Sequence, residues 1–169
     1  CFVPLSLAAV GTISIGCYYF SFTGLRHIVI NEICSNNGTA FFDDYGETPD
    51  YIELYNKGIL PCGLSQVYLS DDAANLKKQE IPLCEVPAGG YVLVELDKIT
   101  FSLKKTGGET VFLSDSSGHI LDSVTMAATD RDYSYARQPD GGGMGDYDSY
   151  ARNHKYKCCP VDCRTVFVP

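Results

Sequence analysis

The sequence predicts an all-β domain, a sandwich of short strands, behind an N-terminal transmembrane helix. Three observations lead there. No charged side chain precedes Arg26. Beyond it, short β-branched and aromatic runs are split by Gly, Pro, Asn and Asp at spacings of about 10 residues, the rhythm of a sandwich or barrel. No segment in that region carries the spacing of an amphipathic helix.

Residues 2–25 contain Leu5, Leu7, Ala8, Ala9, Val10, Ile13, Ile15, Tyr18, Tyr19 and Phe20. That meets the requirement of about 20 mostly apolar residues for a spanning helix. The aromatic residues near one end suit a membrane–water interface. A cleaved signal peptide is the alternative, but its apolar core is about 7–15 residues long and ends at a small-residue cleavage site. No A-x-A-like site follows here. A buried soluble helix would be weakened by Gly11, Gly16 and the β-branched residues. Cys1 leads into Phe2-Val3-Pro4-Leu5, not into the polar linker of a mature lipoprotein. The expected organisation is an anchor or signal segment at 1–26, a β domain at 27–141 and an irregular C-terminal tail at 142–169.

Each strand has its own justification. Residues 27–34 (HIVINEIC) are rich in β-branched side chains, and Ser35-Asn36-Asn37-Gly38 ends the run with turn formers. Residues 51–55 alternate, with Ile52 and Leu54 on one face and Tyr51, Glu53 and Tyr55 on the other, which predicts a half-buried strand. Lys57-Gly58 and Pro61-Cys62-Gly63 predict a turn, and 67–69 a short strand. Residues 80–82 predict an edge strand, because Pro82 cannot donate to a ladder. A turn at 86–90 precedes the alternating strand 91–96. Gly107-Gly108 opens the strand 110–113, the turn 115–118 closes a hairpin with 119–125, and 133–136 adds a last strand.

The net charge of −8 disfavours nucleic acid, whose phosphates an acidic domain repels. The eight cysteines contain no C-x-x-C pair, so neither a zinc ribbon nor a thioredoxin-like motif is present. A hairpin centred on Ala73 would place Cys62 opposite Cys84, within reach of a disulfide. Two buried free thiols are the equal alternative.

Several segments, taken in order, resemble the lamin tail domain in its secreted bacterial form. They are Ile30-Asn31-Glu32-Ile33, Pro49-Asp50-Tyr51-Ile52-Glu53-Leu54-Tyr55-Asn56, Tyr68-Leu69-Ser70-Asp71-Asp72, Pro87-Ala88-Gly89-Gly90-Tyr91, Gly107-Gly108-Glu109, Leu121-Asp122-Ser123-Val124 and Ser134-Tyr135-Ala136-Arg137-Gln138-Pro139-Asp140-Gly141. The resemblance covers residues 27–141 and implies an immunoglobulin-like β-sandwich. Tyr51 stands where the family often has Trp, and the chain has no Trp. The family supplies no established catalytic residues.

Asp43, Asp44, Glu47 and Asp50 gather carboxylates around Gly46 and are the candidate calcium ligands, although their spacing is not that of an EF-hand and a solvated loop is the plainer reading. Tyr51 and Tyr55 are candidates for a sugar-stacking surface, against the plainer reading of a second packed face. Glu32, Asp50 and Glu53 fit turn capping and strand-face solvation better than acid–base chemistry. His154, Cys158, Cys159 and Cys163 cluster in sequence, but adjacent cysteines suit tetrahedral metal binding poorly. No G-x-S-x-G elbow is present. The expectation is a non-enzymatic interaction module at the cell membrane, its domain extracytoplasmic, binding protein or a cell-envelope polysaccharide, with no cofactor. The alternatives are a protein secreted after signal cleavage and a glycan-binding, calcium-assisted accessory module of a larger exported enzyme.

Overall fold

In this computed structural model the described residues are 24–96 and 100–142, with the backbone alone of strands at 149–150, 157–158 and 164–166. They form an all-β, sandwich-like domain preceded by a 3₁₀ turn at Leu25–His27. Among the described residues no helix is long and apolar enough to cross a membrane. Residues 1–23 of the expected anchor lie outside them, as do most of the expected tail and its His154, Cys158, Cys159 and Cys163 cluster apart from the backbone of Cys158.

The strands are β1 (Ile28–Cys34), β2 (Tyr51–Asn56), β3 (Cys62–Leu64), β4 (Tyr68–Ser70), β5 (Gln79–Glu80), β6 (Cys84–Val86) and β7 (Tyr91–Glu95). They continue with β8 (Thr110–Ser114), β9 (Ile120–Thr125), β10 (Tyr133–Ala136), β11 (Ser149–Tyr150), β12 (Lys157–Cys158) and β13 (Arg164–Val166). The large sheet runs β11-β10-β1-β2-β7-β13-β12, and a second runs β5-β4-β8-β9. The pair β3-β6 stands as a small sheet of its own. Three short strands thus fall within the 142–169 segment that the sequence leaves irregular.

Alternation decides what each strand contributes. Ile28, Ile30 and Ile33 of β1, Ile52 and Leu54 of β2, and Val92 and Val94 of β7 point inward. They meet Leu64, Val86, Leu69, Val111, Leu113 and Val124 of the other two sheets in one apolar core. Leu25 is 7% exposed and belongs to that core. The last apolar residue before Arg26 is therefore part of the β domain.

β1 breaks its alternation once. Its pairing with β2 slips between Ile30, opposite Leu54, and Glu32, opposite Glu53. Asn31 is the extra residue, and the bulge turns both Asn31 and Glu32 to the outer face of the sheet.

The hairpin over 62–86 corrects the expected register. Tyr68 pairs with Glu80 and Cys62 with Val86, so each pair sums to 148 and the centre is Ala74, not Ala73. A shift of one residue in the centre moves every partner by two. Cys84 therefore faces Leu64, diagonal to Cys62, and both cysteines are buried and not joined in a disulfide. β3, whose Cys62 and Gly63 the sequence reads as a turn, and β6, of which only Val86 is so read, are short, and Gly63 sits in the middle of β3. The residues 87–90 form the expected turn, with the Gly90 N–H donating to the Pro87 carbonyl and Gly89 at φ +66, which a type II turn requires.

Candidate functional site

Polar side chains are concentrated on the outer face of the large sheet. Glu32 and Glu53 stand opposite each other on β1 and β2, both 0% exposed. Asn31, placed beside them by the bulge, donates from Nδ2 to Glu53 Oε1 at 2.8 Å and to Asp140 Oδ1 at 3.0 Å. Its own Oδ1 accepts the Gly141 N–H at 3.0 Å. The Tyr51 hydroxyl donates to Glu32 Oε1 at 2.7 Å, and the Tyr91 hydroxyl to Asp140 Oδ2 at 2.6 Å. Glu32 Oε2 is buried with no hydrogen-bond partner among the described residues. Burial, then the hydrogen bond to Asp140, pushes the Tyr91 phenol far above its ordinary range.

These positions correct the expected ligand surface. Tyr51 is 1% exposed, edge-on to Phe41 at 5.6 Å between centroids, and bonded to Glu32. It cannot stack on a sugar without leaving that packing. Tyr55 is half-buried and tilted against Tyr91 at 4.8 Å, with Gly141 closing on its ring. Glu32 and Glu53 do not solvate a strand face as expected. They are enclosed on the side where Ala40 and Phe41 pack against Tyr51 and Leu93 and where Asp140 and Gly141 bond to Asn31.

The acidic loop is held by its own backbone. Asp43 is buried, and its Oδ1 accepts the N–H groups of Tyr45 and Glu47 at 2.9 and 2.8 Å. Asp44 and Glu47 are exposed. Asp50 accepts the Asn37 N–H at 2.7 Å, and burial raises its carboxyl above the usual range despite that bond. Among the described residues no group of three or more His, Cys, Asp or Glu side chains is arranged to hold a metal ion.

Two carboxylates outside the expected set tie the fold together. Asp122 on β9 accepts the Ile30 N–H at 2.8 Å and pairs with Arg137 Nη2 through both oxygens, at 2.9 and 3.1 Å. Arg137 Nε donates to the Ile30 carbonyl at 2.8 Å. Two side chains thereby complete the hydrogen bonds of a residue beyond the reach of β10, and they join the two sheets. Asp132 Oδ1 accepts from Gly38, Thr39 and Ala40, its bond from Thr39 acting most strongly to hold its carboxyl below the usual range. Neither role has a sequence signature, since each depends on residues about 90–110 positions apart.

The end of the sandwich where β1 begins and β2 ends is different in character. Asn56 is 1% exposed, and its Nδ2 donates to the Leu60 and Val86 carbonyls while Oδ1 accepts the Gly58 N–H. This splints the loop 57–61, from which Ile59 projects at 92% exposure and Leu60 at 47%. Gly24, His27, Asn56, Ile59 and Pro61 line a cleft of about 120 Å³ beneath it.

No protein-family model matches the chain, and no curated protein matches it.

Proposed function

We propose that the chain is a non-enzymatic, membrane-anchored extracytoplasmic interaction module built on a lamin-tail-like, immunoglobulin-like sandwich. The observation that carries this reading is the uncharged segment before Arg26, continuous with a β domain whose core begins at Leu25. Supporting it, the polar side chains placed above serve the fold. Asn31 and Tyr91 donate to Asp140 and Tyr51 to Glu32, Asp43 and Asp132 accept backbone N–H groups, and Asp122 accepts the Ile30 N–H and pairs with Arg137. His119 and Asp115 approach to 3.1 Å, but the same carboxylate caps the 115–118 turn through the Ser117 and His119 N–H groups. That pair closes a hairpin and does not serve a nucleophile. The partner is a protein or a cell-envelope polymer.

Carbonate extraction of membranes from expressing cells tests the anchor. The full chain is expected in the pellet. Recovery of an unclipped chain in the supernatant would overturn the reading.

A further inference from the structure

We propose that the end of the sandwich bearing the loop 57–61 lies on the surface of a bilayer containing anionic lipids. Ile59 and Leu60 enter the headgroup layer, with Arg26 and Lys57 over the phosphates. The proposal rests on the anchor reading and adds to it a fixed orientation of the domain.

The first argument is the junction. The uncharged run extends to Leu25 with no charged linker between it and the domain. Leu25 is already in the core, and a Cβ on Gly24 would stand 3.0 Å from the Cys62 sulfur, so both residues belong to the packed domain. On the anchor reading, the end of the domain that carries Gly24 is the end nearest the bilayer.

The second argument is what that end presents. Ile59 and Leu60 are two of the few large apolar side chains exposed among the described residues, and they stand beside Gly24 across one cleft. Asn56 fixes the loop that carries them, so the apolar tip is built into the fold. The third argument is charge. Arg26 and Lys57 are exposed, and the Lys57 N–H bonds to the His27 carbonyl at 3.0 Å, which brings both cations to this end. Glu85, near Cys62, is an acid on the same side. On a chain of net charge −8, two cations beside an apolar tip suit an anionic headgroup layer.

The chain has no Trp, so a single Trp reports on one place. Ile59→Trp is compared with Tyr45→Trp. Tyr45 is 84% exposed in the loop joining the other ends of β1 and β2. Each full-length variant is reconstituted into phosphatidylcholine–phosphatidylserine vesicles, with and without lipids brominated near the headgroup. The expected result is quenched, blue-shifted emission at position 59 and unquenched emission at position 45. Adding Lys57→Glu to Ile59→Trp is expected to reduce the quenching, and so is raising the salt. Unquenched emission at position 59 in chains that float with the vesicles overturns the docking and leaves the anchor intact. Equal quenching at both positions also overturns it, since no end is then favoured. Chains that do not float with the vesicles overturn both readings.

Discussion

On the inner face of the large sheet, Ile30, Ile33, Ile52, Leu54 and Val92 are fully buried in one apolar cluster. One residue away along the same strands, Glu32, Glu53 and Tyr51 are buried just as completely, yet two of the three are acids. The inner face is specified by volume, because apolar packing has no direction and is sensitive to missing methylene groups. The outer face is specified by direction. A buried acid is tolerated where donors are aimed at it, and a lost donor leaves a desolvated acceptor behind. One strand can therefore obey two rules on its two sides.

The largest expected effect probes volume. Leu54→Ala, at a site with 0% exposure, is expected to lower unfolding free energy by about 2–5 kcal/mol in a urea titration. Leu54→Ile, which conserves volume, should cost less than about 1.5 kcal/mol. Next comes the clamp that joins the faces. Arg137→Ala would strand the Asp122 carboxylate and the Ile30 carbonyl, with side chains only 12% and 15% exposed in the pair. A loss of about 2–4 kcal/mol is expected by the same titration, toward the lower end for a pair that is not fully enclosed. A loss near zero would mean that packing alone joins the sheets.

Tyr51→Phe sharpens the contrast most. It keeps the ring against Phe41 and deletes only the donor to Glu32, so it is nearly neutral in volume. A loss of about 1–3 kcal/mol is expected. No change would show that the outer face follows the same rule as the inner one. A smaller effect concerns acid. Backbone N–H groups hold the Asp132 carboxyl below its ordinary value. Its contribution is complete above the unfolded value of about 3.9 and disappears as pH falls through the lower folded value. The difference in melting temperature between wild type and Asp132→Asn should therefore be full at pH 7 and shrink below about pH 4. Asp50, raised by burial, works in the opposite sense, favouring the fold below the unfolded value and less as pH rises. The smallest effect is kinetic. Burial pushes the Cys34 thiol up to about 12 and the Cys62 thiol to about 11. Both should resist iodoacetamide in the native protein at pH 7.5 and react once it is unfolded in urea.

The order of most strands was legible because alternation and turn residues are local. The pattern Tyr51-Ile52-Glu53-Leu54-Tyr55 gave the strand and its inward face correctly. It could not tell that the other face is also covered, since alternation reports polarity and not exposure. Of the segments on that side, 35–50 is the loop joining β1 to β2, whose return over the sheet alternation does not report, and 137–142 comes from far along the chain. The cysteine pairing missed for a related reason. Symmetry located the hairpin, but the turn after Ser70, where its hydroxyl accepts the Asp72 N–H and donates to the Asn75 carbonyl, moved the centre by one residue. Of the site, the carboxylates of the acidic loop were visible as residues. Asp50 reads as a turn cap and accepts the Asn37 N–H, but the same use of Asp43 had no signal, and one exposed apolar residue such as Ile59 looks like any other in a sequence.

The bulge at Asn31 bears on how this sequence can be traced through its descendants. Ile30 and Glu32 already face opposite sides and pair with the consecutive residues Leu54 and Glu53. A strand lacking Asn31 would keep Ile28, Ile30 and Ile33 inward, whereas losing Val29 would turn Ile28 to the other face. This position can therefore be gained or lost by a single codon without changing the fold, and the bonds to Glu53, Asp140, Gly141 and the Arg137 N–H go with it. A search that demands fixed spacing between Ile30 and Ile33 would pass over such relatives. One that permits a gap of one there would find them.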